Sequence, residues 1–273
     1  MITVGAKQAV SYANRINEIT AQKAEAMLRL STGYKVTSAA DDAGNYQTII
    51  DSTCELKGLE VANKNTQTAV EIGYIADDAL NSILDSAYVV MDIANQALTA
   101  DEKERAVLEE RANAIIAQMN TIKESTKYND NAIFTENGIT FQVGYESNEN
   151  SKVTVDTSLS SSAIGVDLAT YNVDFTDEAK IQETMQKMED LGYSLSNKIT
   201  EVASKGAILK DRIAVQENTY AKVADARASK IEANVAQELV NYVKLGITES
   251  ATNALMQSAS QLNGQLITRI IGF

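Results

Sequence analysis

The sequence predicts a mainly α fold: a long antiparallel helical rod or coiled-coil bundle, a small β-hairpin region, and a pair of terminal helices. Three observations carry this. The 273 residues include no Pro, so helices can run without the break that Pro imposes. From Ile181 to Val223 apolar or small residues alternate gaps of 4 and 3 across six heptads, the spacing of a coiled-coil seam. Between 128 and 156 the pattern switches to strand-like alternation.

The first helix spans roughly residues 4–32, with Ala9, Tyr12, Ile16, Ile19, Lys23, Ala26 and Leu30 on one seam. A seam this poor in large side chains is marginal as an isolated helix. Gly33 is a helix stop, because glycine enters the left-handed region without a Cβ penalty. Tyr34 to Val36 reads extended. Ser38 and Asp41 offer N-cap oxygens to the next helix, and Asp41-Asp42 place negative charge at its positive end. That second helix runs from about 43 to 98, with Ile72, Ala76, Ala79, Ile83, Ala87, Val90, Ala94 and Ala97 on its clearest face. At 1.5 Å per residue it would be on the order of 80 Å long, which points to a rod.

Two overlapping capping boxes, Thr99 with Glu102 and Asp101 with Glu104, start a third helix. Its seam reads Leu108, Ala112, Ile115, Met119, Ile122 and Thr126, and the short link makes it antiparallel to the second. Residues 128–156 read as one or two hairpins lying on the helices, since a lone hairpin is unstable in water. Ser158 to Gly165 reads as a Ser-rich loop. Thr176 or Asp177 caps the long seam helix, in which Gly192 and Gly206 suggest close backbone approach. The last helix covers about 236–272, with Leu239, Tyr242, Leu255, Ala259, Leu262, Leu266 and Ile270 on one side and a weak polar stretch over 246–253. The domain division read from this is 1–42, 43–235 with the β region at 128–156, and 236–273.

Composition narrows the chemistry. There is no His, and Cys54 is the one cysteine, so His-based triads and zinc sites have no ligands. No catalytic residue, metal ligand or cofactor site is assigned. The carboxylate pairs Asp41-Asp42 and Asp77-Asp78 diverge by about 100° on a helix, and they are read as caps and solvated charge. Gly138, Gly144 and Gly165 are followed by no Gly-Lys-Ser/Thr, so no phosphate loop is present. Cys54 is read as a helix-face residue in preference to an intermolecular crosslink, because nothing basic flanks it. The net charge of −13 argues against a nucleic-acid partner. Residues 1–40 carry +3 and residues 239–273 carry +1, which leaves −17 for the middle. Charge-poor ends suit a confined site, and an acidic middle suits water. No apolar run reaches the 18 or so residues of a membrane span, and the N-terminus lacks a secretory-signal layout.

The segment Leu30-Ser31-Thr32-Gly33-Tyr34-Lys35-Val36-Thr37-Ser38-Ala39-Ala40-Asp41-Asp42-Ala43 resembles the signature of bacterial flagellin. That signature is Leu-Ser-Ser-Gly, an Arg-Ile-Asn-Ser-like stretch, then Ala-x-Asp-Asp-Ala. The resemblance continues through Ala76-Asp77-Asp78-Ala79-Leu80-Asn81-Ser82-Ile83, Thr126-Lys127-Tyr128-Asn129, Phe141-Gln142-Val143-Gly144, Gly206-Ala207 with Asp211-Arg212-Ile213, and Ala228-Ser229-Lys230-Ile231-Glu232. The chain departs from the family at Gly44-Asn45-Tyr46, near Ala233-Asn234-Val235, and in lacking a Pro near the C-terminus. The direct passage from the Ser-rich loop to the long helix leaves no room for outer variable domains, so the resemblance is to a minimal flagellin.

The resemblance implies a non-enzymatic structural subunit. It would be exported through the flagellar machinery, helped by a chaperone that binds its C-terminal segment, and would polymerise into the extracellular filament used for swimming. Filament cap and junction proteins are the further partners implied. The terminal helices would form the inner core, with Leu30 to Gly44 as the spoke. Ile16, Ile19, Leu30, Tyr34, Lys35, Asp41, Asp42, Leu255, Leu262, Leu266 and Ile270 are the expected assembly residues. The alternative is the hook–filament junction protein, disfavoured because that family usually follows its Asp pair with Pro and here Ala43 and Gly44 follow. Weak recognition by the innate immune flagellin receptor is expected: Val89 and Val90 stand in a segment where the family carries Arg, and only Asp92 keeps acidic character. Ser158, Ser160, Ser161 and Ser162 are candidate glycosylation positions, with a plain flexible loop as the other reading.

Overall fold

In a computed structural model the backbone is described for residues 2–271 and side chains for residues 7–262, 264 and 265. The elements, in chain order, are helices α1 (Ile2–Thr32), α2 (Ala43–Ala97) and α3 (Glu102–Ser125); strands β1 (Lys127–Tyr128), β2 (Asn131–Ala132), β3 (Ile139–Gln142) and β4 (Lys152–Val155); and helices α4 (Ser161–Ile164), α5 (Glu178–Ile231) and α6 (Val235–Ile271). The mainly α class with two small antiparallel sheets is as the sequence predicts. The chain forms two compact units, Met1–Cys54 with Lys222–Phe273, and Glu55–Ala221.

The second unit holds the large core. Ile72, Ala76, Leu80, Ile83, Ala87, Val90, Ala94 and Ala97 of α2 bury against Leu108, Ala112, Ile116 and Met119 of α3 and against α5. Arg105 donates to the Ala97 carbonyl at 2.9 Å, and Tyr128, just past the end of α3, donates to Glu71 at 3.4 Å. The two ends of α3 thus meet α2 in reverse order, which makes the pair antiparallel. On α5, Gly192 lies beside Leu84 and Tyr88, and Gln216 accepts from Thr66 at 3.3 Å. That pair is antiparallel too.

The α5 seam resolves into two ranks. Ile181, Met188, Leu195, Val202, Leu209 and Gln216, seven residues apart, are buried. In the alternate rank Gly192 is buried, while Met185, Ile199, Gly206 and Ile213 are half-buried and Tyr220 is exposed. Thr184 and Leu191 are also buried, so the covered face is wider than a two-helix seam near the start of α5.

Residues 133–175 supply apolar cover, with Ile133, Val143, Val155, Leu159, Ile164, Leu168 and Phe175 in the same core. The first hairpin turns through Asn129 (φ 48°) and Asp130 (φ 64°), a left-handed pair suited to a two-residue turn. The second pairs Ile139 with Val155 and Gln142 with Lys152, and the Thr140 and Thr154 hydroxyls meet at 2.8 Å across it.

Several local expectations are corrected. Ile116 takes the core place expected for Ile115, which is half-buried. Leu108, Ala112 and Met119 are buried as expected, and Ile115 and Ile122 pack at the edge of the same core, so the covered stripe leans toward the Ile116 side. The cap of α3 is Asp101, which accepts from the Glu104 amide at 2.9 Å, whereas the Thr99 hydroxyl donates back to Gln96. Ser158–Gly165 contains a helical turn, with Ser158 buried, and is not a plain loop. Close backbone approach does not explain the seam glycines: a Cβ on Gly206 would meet nothing within 4 Å, and one on Gly192 only ordinary contacts at 3.7 and 3.8 Å. Gly58 does have a steric reason, since its Cβ would lie 2.7 Å from that of Tyr145.

Candidate assembly site

The first unit is built from α1, α6, the segment 33–42 and the adjoining ends of α2 and α5. Gly33, at φ 73°, donates to Arg29 O at 2.8 Å and closes α1 in the left-handed manner expected. The chain then pairs with the α5–α6 junction. Lys35 N donates to Ile231 O at 2.7 Å, Ala233 N donates to Gly33 O at 2.8 Å, and Tyr34 and Glu232 form an antiparallel bridge. The Lys35 ammonium donates to Ser229 O at 2.9 Å, one of the unpaired carbonyls near the end of α5. Val36, Ile49 and Ile231 are buried together, with Tyr46 packed against them. Sequence reasoning placed the turn of this segment but missed its partner strand. A single bridge between residues nearly 200 positions apart leaves no periodic trace.

The two aspartates divide their work differently from the expectation. Asp42, not Asp41 or Ser38, caps α2, accepting from the Asn45 amide at 3.0 Å. Asp41 Oδ2 instead accepts from the backbone N–H and hydroxyl of both Thr37 and Ser38, at 2.8 to 3.2 Å. These bonds, led by the Thr37 amide, hold its carboxyl down at about 2. Asp42 is lowered as well, chiefly by the Asn45 amide.

Helices α1 and α6 pack antiparallel. Arg29 bridges to Glu238 at 3.5 Å and Lys23 to Glu249 at 2.8 Å, so one chain rises as the other falls. Lys23 also lies over the Tyr242 ring at 5.4 Å. Its apolar-seam position is thus satisfied by charge and aromatic partners, and the Glu249 bond raises its pKa. Ile19 and Ala26 are buried in this pair, and Ile16 and Leu30 are half-buried.

The covered face of α6 is mixed: Glu238, Tyr242, Leu245, Glu249 and Thr252 are covered, and so are Thr248, Asn253, Met256 and Ala259. Of the residues read on one side of this helix, Leu239, Leu255 and Leu262 are exposed, at 53 %, 54 % and 61 %, whereas Tyr242 and Ala259 are half-buried. The ion pairs and the buried Thr252, whose hydroxyl bonds Thr248 O at 2.8 Å, are what α1 meets. Leu239, Val240, Val243 and Ile247 form a continuous apolar patch on the open side, and α1 adds exposed Val10, Met27 and Leu28. Leu266 and Ile270 lie outside the described side chains.

Other expected positions are scattered in the second unit. Val90 is fully buried, while Val89 and Asp92 are exposed on α2. Ser160 is half-buried, and Ser161 and Ser162 are exposed. Cys54 is exposed and free. Among the described residues no group of three His, Cys, Asp or Glu is placed to hold a metal, and no helix is long and apolar enough to cross a membrane.

Residues 6–138 match the family model for the bacterial flagellin N-terminal helical region. A flagellin of Halalkalibacterium halodurans is 22 % identical over 243 residues, covering 88 % of this chain and 89 % of its own. Flagellin A of Vibrio anguillarum is 32 % identical over 155 residues, covering 54 % of this chain but 40 % of its own. The chain thus spans well under half of the length of the Vibrio relatives it matches. Bacillus cereus flagellin, a solved structure, aligns with 19 % identity and a TM-score of 0.47 over 55 % of this chain and 87 % of its own. With its N-terminal helical region matched and a flagellin aligned over 88 % of its length, the chain is similar to the bacterial flagellins.

Proposed function

We propose that this chain is a structural subunit that polymerises into an extracellular flagellar filament serving motility. The observation that carries the reading is the outward apolar face of α6. Leu239, Val240, Val243, Ile247, Leu255 and Leu262 are left uncovered on a helix whose inner face is already satisfied. An exposed apolar stripe of this length is a liability on a free subunit and an interface in a polymer. The family named above supplies the kind of polymer.

In this reading the domain roles follow residues 1–42 and 236–273 as inner core and 43–235 as the outer part. Tyr34, Lys35, Asp41 and Asp42 form the segment between them. Leu255, Leu262, Leu266 and Ile270 are proposed as contacts between copies. Ile16, Ile19 and Leu30 act first within the subunit, by holding α1 on α6. Export through the flagellar channel, with a chaperone on the C-terminal segment, precedes assembly, and cap or junction proteins bound the polymer. Weak engagement of the innate immune receptor fits Val89, an aliphatic side chain where a guanidinium would be needed. Of the four serines, Ser161 and Ser162 are the accessible sites for a glycan.

Deleting residues 239–273 tests the reading. The shortened chain should stay soluble and helical by circular dichroism yet fail to sediment as polymer. Sedimenting filaments from it would overturn the proposal.

A further inference from the structure

Gln216 occupies the last buried place in the rank Ile181, Met188, Leu195, Val202, Leu209. Every other member is apolar. One polar residue in a seam specifies position at a cost in stability, so its partners are informative. Its Nε2 donates to the Val143 carbonyl, at the end of β3, and its Oε1 accepts from Thr66 of α2 at 3.3 Å. The Thr66 hydroxyl shares its proton with Ala62 O at 2.7 Å, which fixes it on its own helix. Gln216 is 6 % exposed and Val143 is fully buried. One amide therefore joins three separate elements away from water.

The surroundings repeat the pattern. Asn65 of α2 donates to Gln142 O at 3.1 Å, and Arg212 of α5 donates to Asn150 O at 2.9 Å. The second hairpin is held by its backbone carbonyls, and Gly58 clears room for Tyr145. Of these bonds, the one from Gln216 is the buried one. Without it the Val143 carbonyl would be left dry and unpaired, and an unmet buried acceptor is more costly than a missing surface bond.

We propose that Gln216 is the positioning residue that pins the hairpin 139–155 to the α2–α5 pair, through Val143 on one side and Thr66 on the other. The pin ties the hairpin to the α2–α5 pair, which is held in its own right by its apolar core. It operates within a single chain and does not depend on polymerisation.

Hydrogen exchange on the full chain tests this with Gln216→Glu, which keeps the volume but presents an acceptor to the Val143 carbonyl, and Gln216→Asn, which withdraws the amide by one carbon. In both, amides of 139–155 should exchange about tenfold faster or more, while the α2 and α5 seam amides keep their protection. Asn65→Ala, which removes an exposed tie and leaves Gln216 in place, should change hairpin exchange by no more than about twofold. Hairpin exchange unchanged in both Gln216 variants would overturn the proposal. So would loosening of hairpin and seam by equal factors, or an effect of Asn65→Ala as large as theirs.

Discussion

Asp41 carries more of the segment between α1 and α2 than its exposed position suggests. Four donors from Thr37 and Ser38 converge on one carboxylate oxygen, and bonds to the charged form favour it. The folded pKa is about 2 against an ordinary 3.8. The stabilisation is therefore complete above the ordinary value and is lost as pH falls from 3.8 toward about 2. Carboxyl titration by NMR should place Asp41 near the lower figure, and Asp41→Asn should abolish the anomaly and speed amide exchange at Ser38. An ordinary titration midpoint would remove the clamp. Lys23 makes a second prediction. Reversal to Glu should loosen α1 from α6 by setting it against Glu249, and the double variant Lys23→Glu with Glu249→Lys should restore protection of both helices in hydrogen exchange. Sequence alone exposed Lys23 as an oddity in an apolar seam. It could not show that the partner is 226 positions away.

Helix α3 separates pattern from packing. Leu108, Ala112 and Met119 were legible as core from spacing alone, but Ile115 and Ile116 are equally apolar neighbours and both fit a gap of 3 or 4. Only the structure shows Ile116 at 2 % exposure with Ile115 half-buried. Ile116→Ala should destabilise by roughly 2–5 kcal/mol in urea unfolding, and Ile115→Ala by about 1 kcal/mol. A larger loss at Ile115 than at Ile116 would mean that α3 sits in the orientation expected from sequence. In α5 the long heptad run contained the buried rank as far as Gln216, because six repeats constrain phase far better than two or three, but it did not separate that rank from the half-covered one between. In α6 Leu239, Leu255 and Leu262, read on one side, are not the residues that meet α1. Its seven-residue markers Leu255 and Leu262 face outward, while Glu238, Glu249 and Thr252 face α1. Leucines claimed by a partner outside the chain look, in one sequence, like leucines claimed by its own core.

Among the described residues, the unit Glu55–Ala221 buries a continuous apolar core, while α6 of the other unit leaves an apolar face exposed. The resemblance to bacterial flagellins was readable from the segment 30–43 and the motifs that follow it in order. The pairing of 33–36 with 229–233 and the carbonyl ties of the hairpin were not, because backbone acceptors have no residue code. The uncovered face of α6 is what separates a polymer subunit from a self-sufficient helical protein. Electron microscopy of the full chain, alone and as the variant Val243→Asp with Ile247→Asp, tests that difference most directly. The unaltered chain should form long filaments, and the variant should keep its helix content and form none. Filaments from the variant as abundant as from the unaltered chain, or none from either, would contradict assembly through this face.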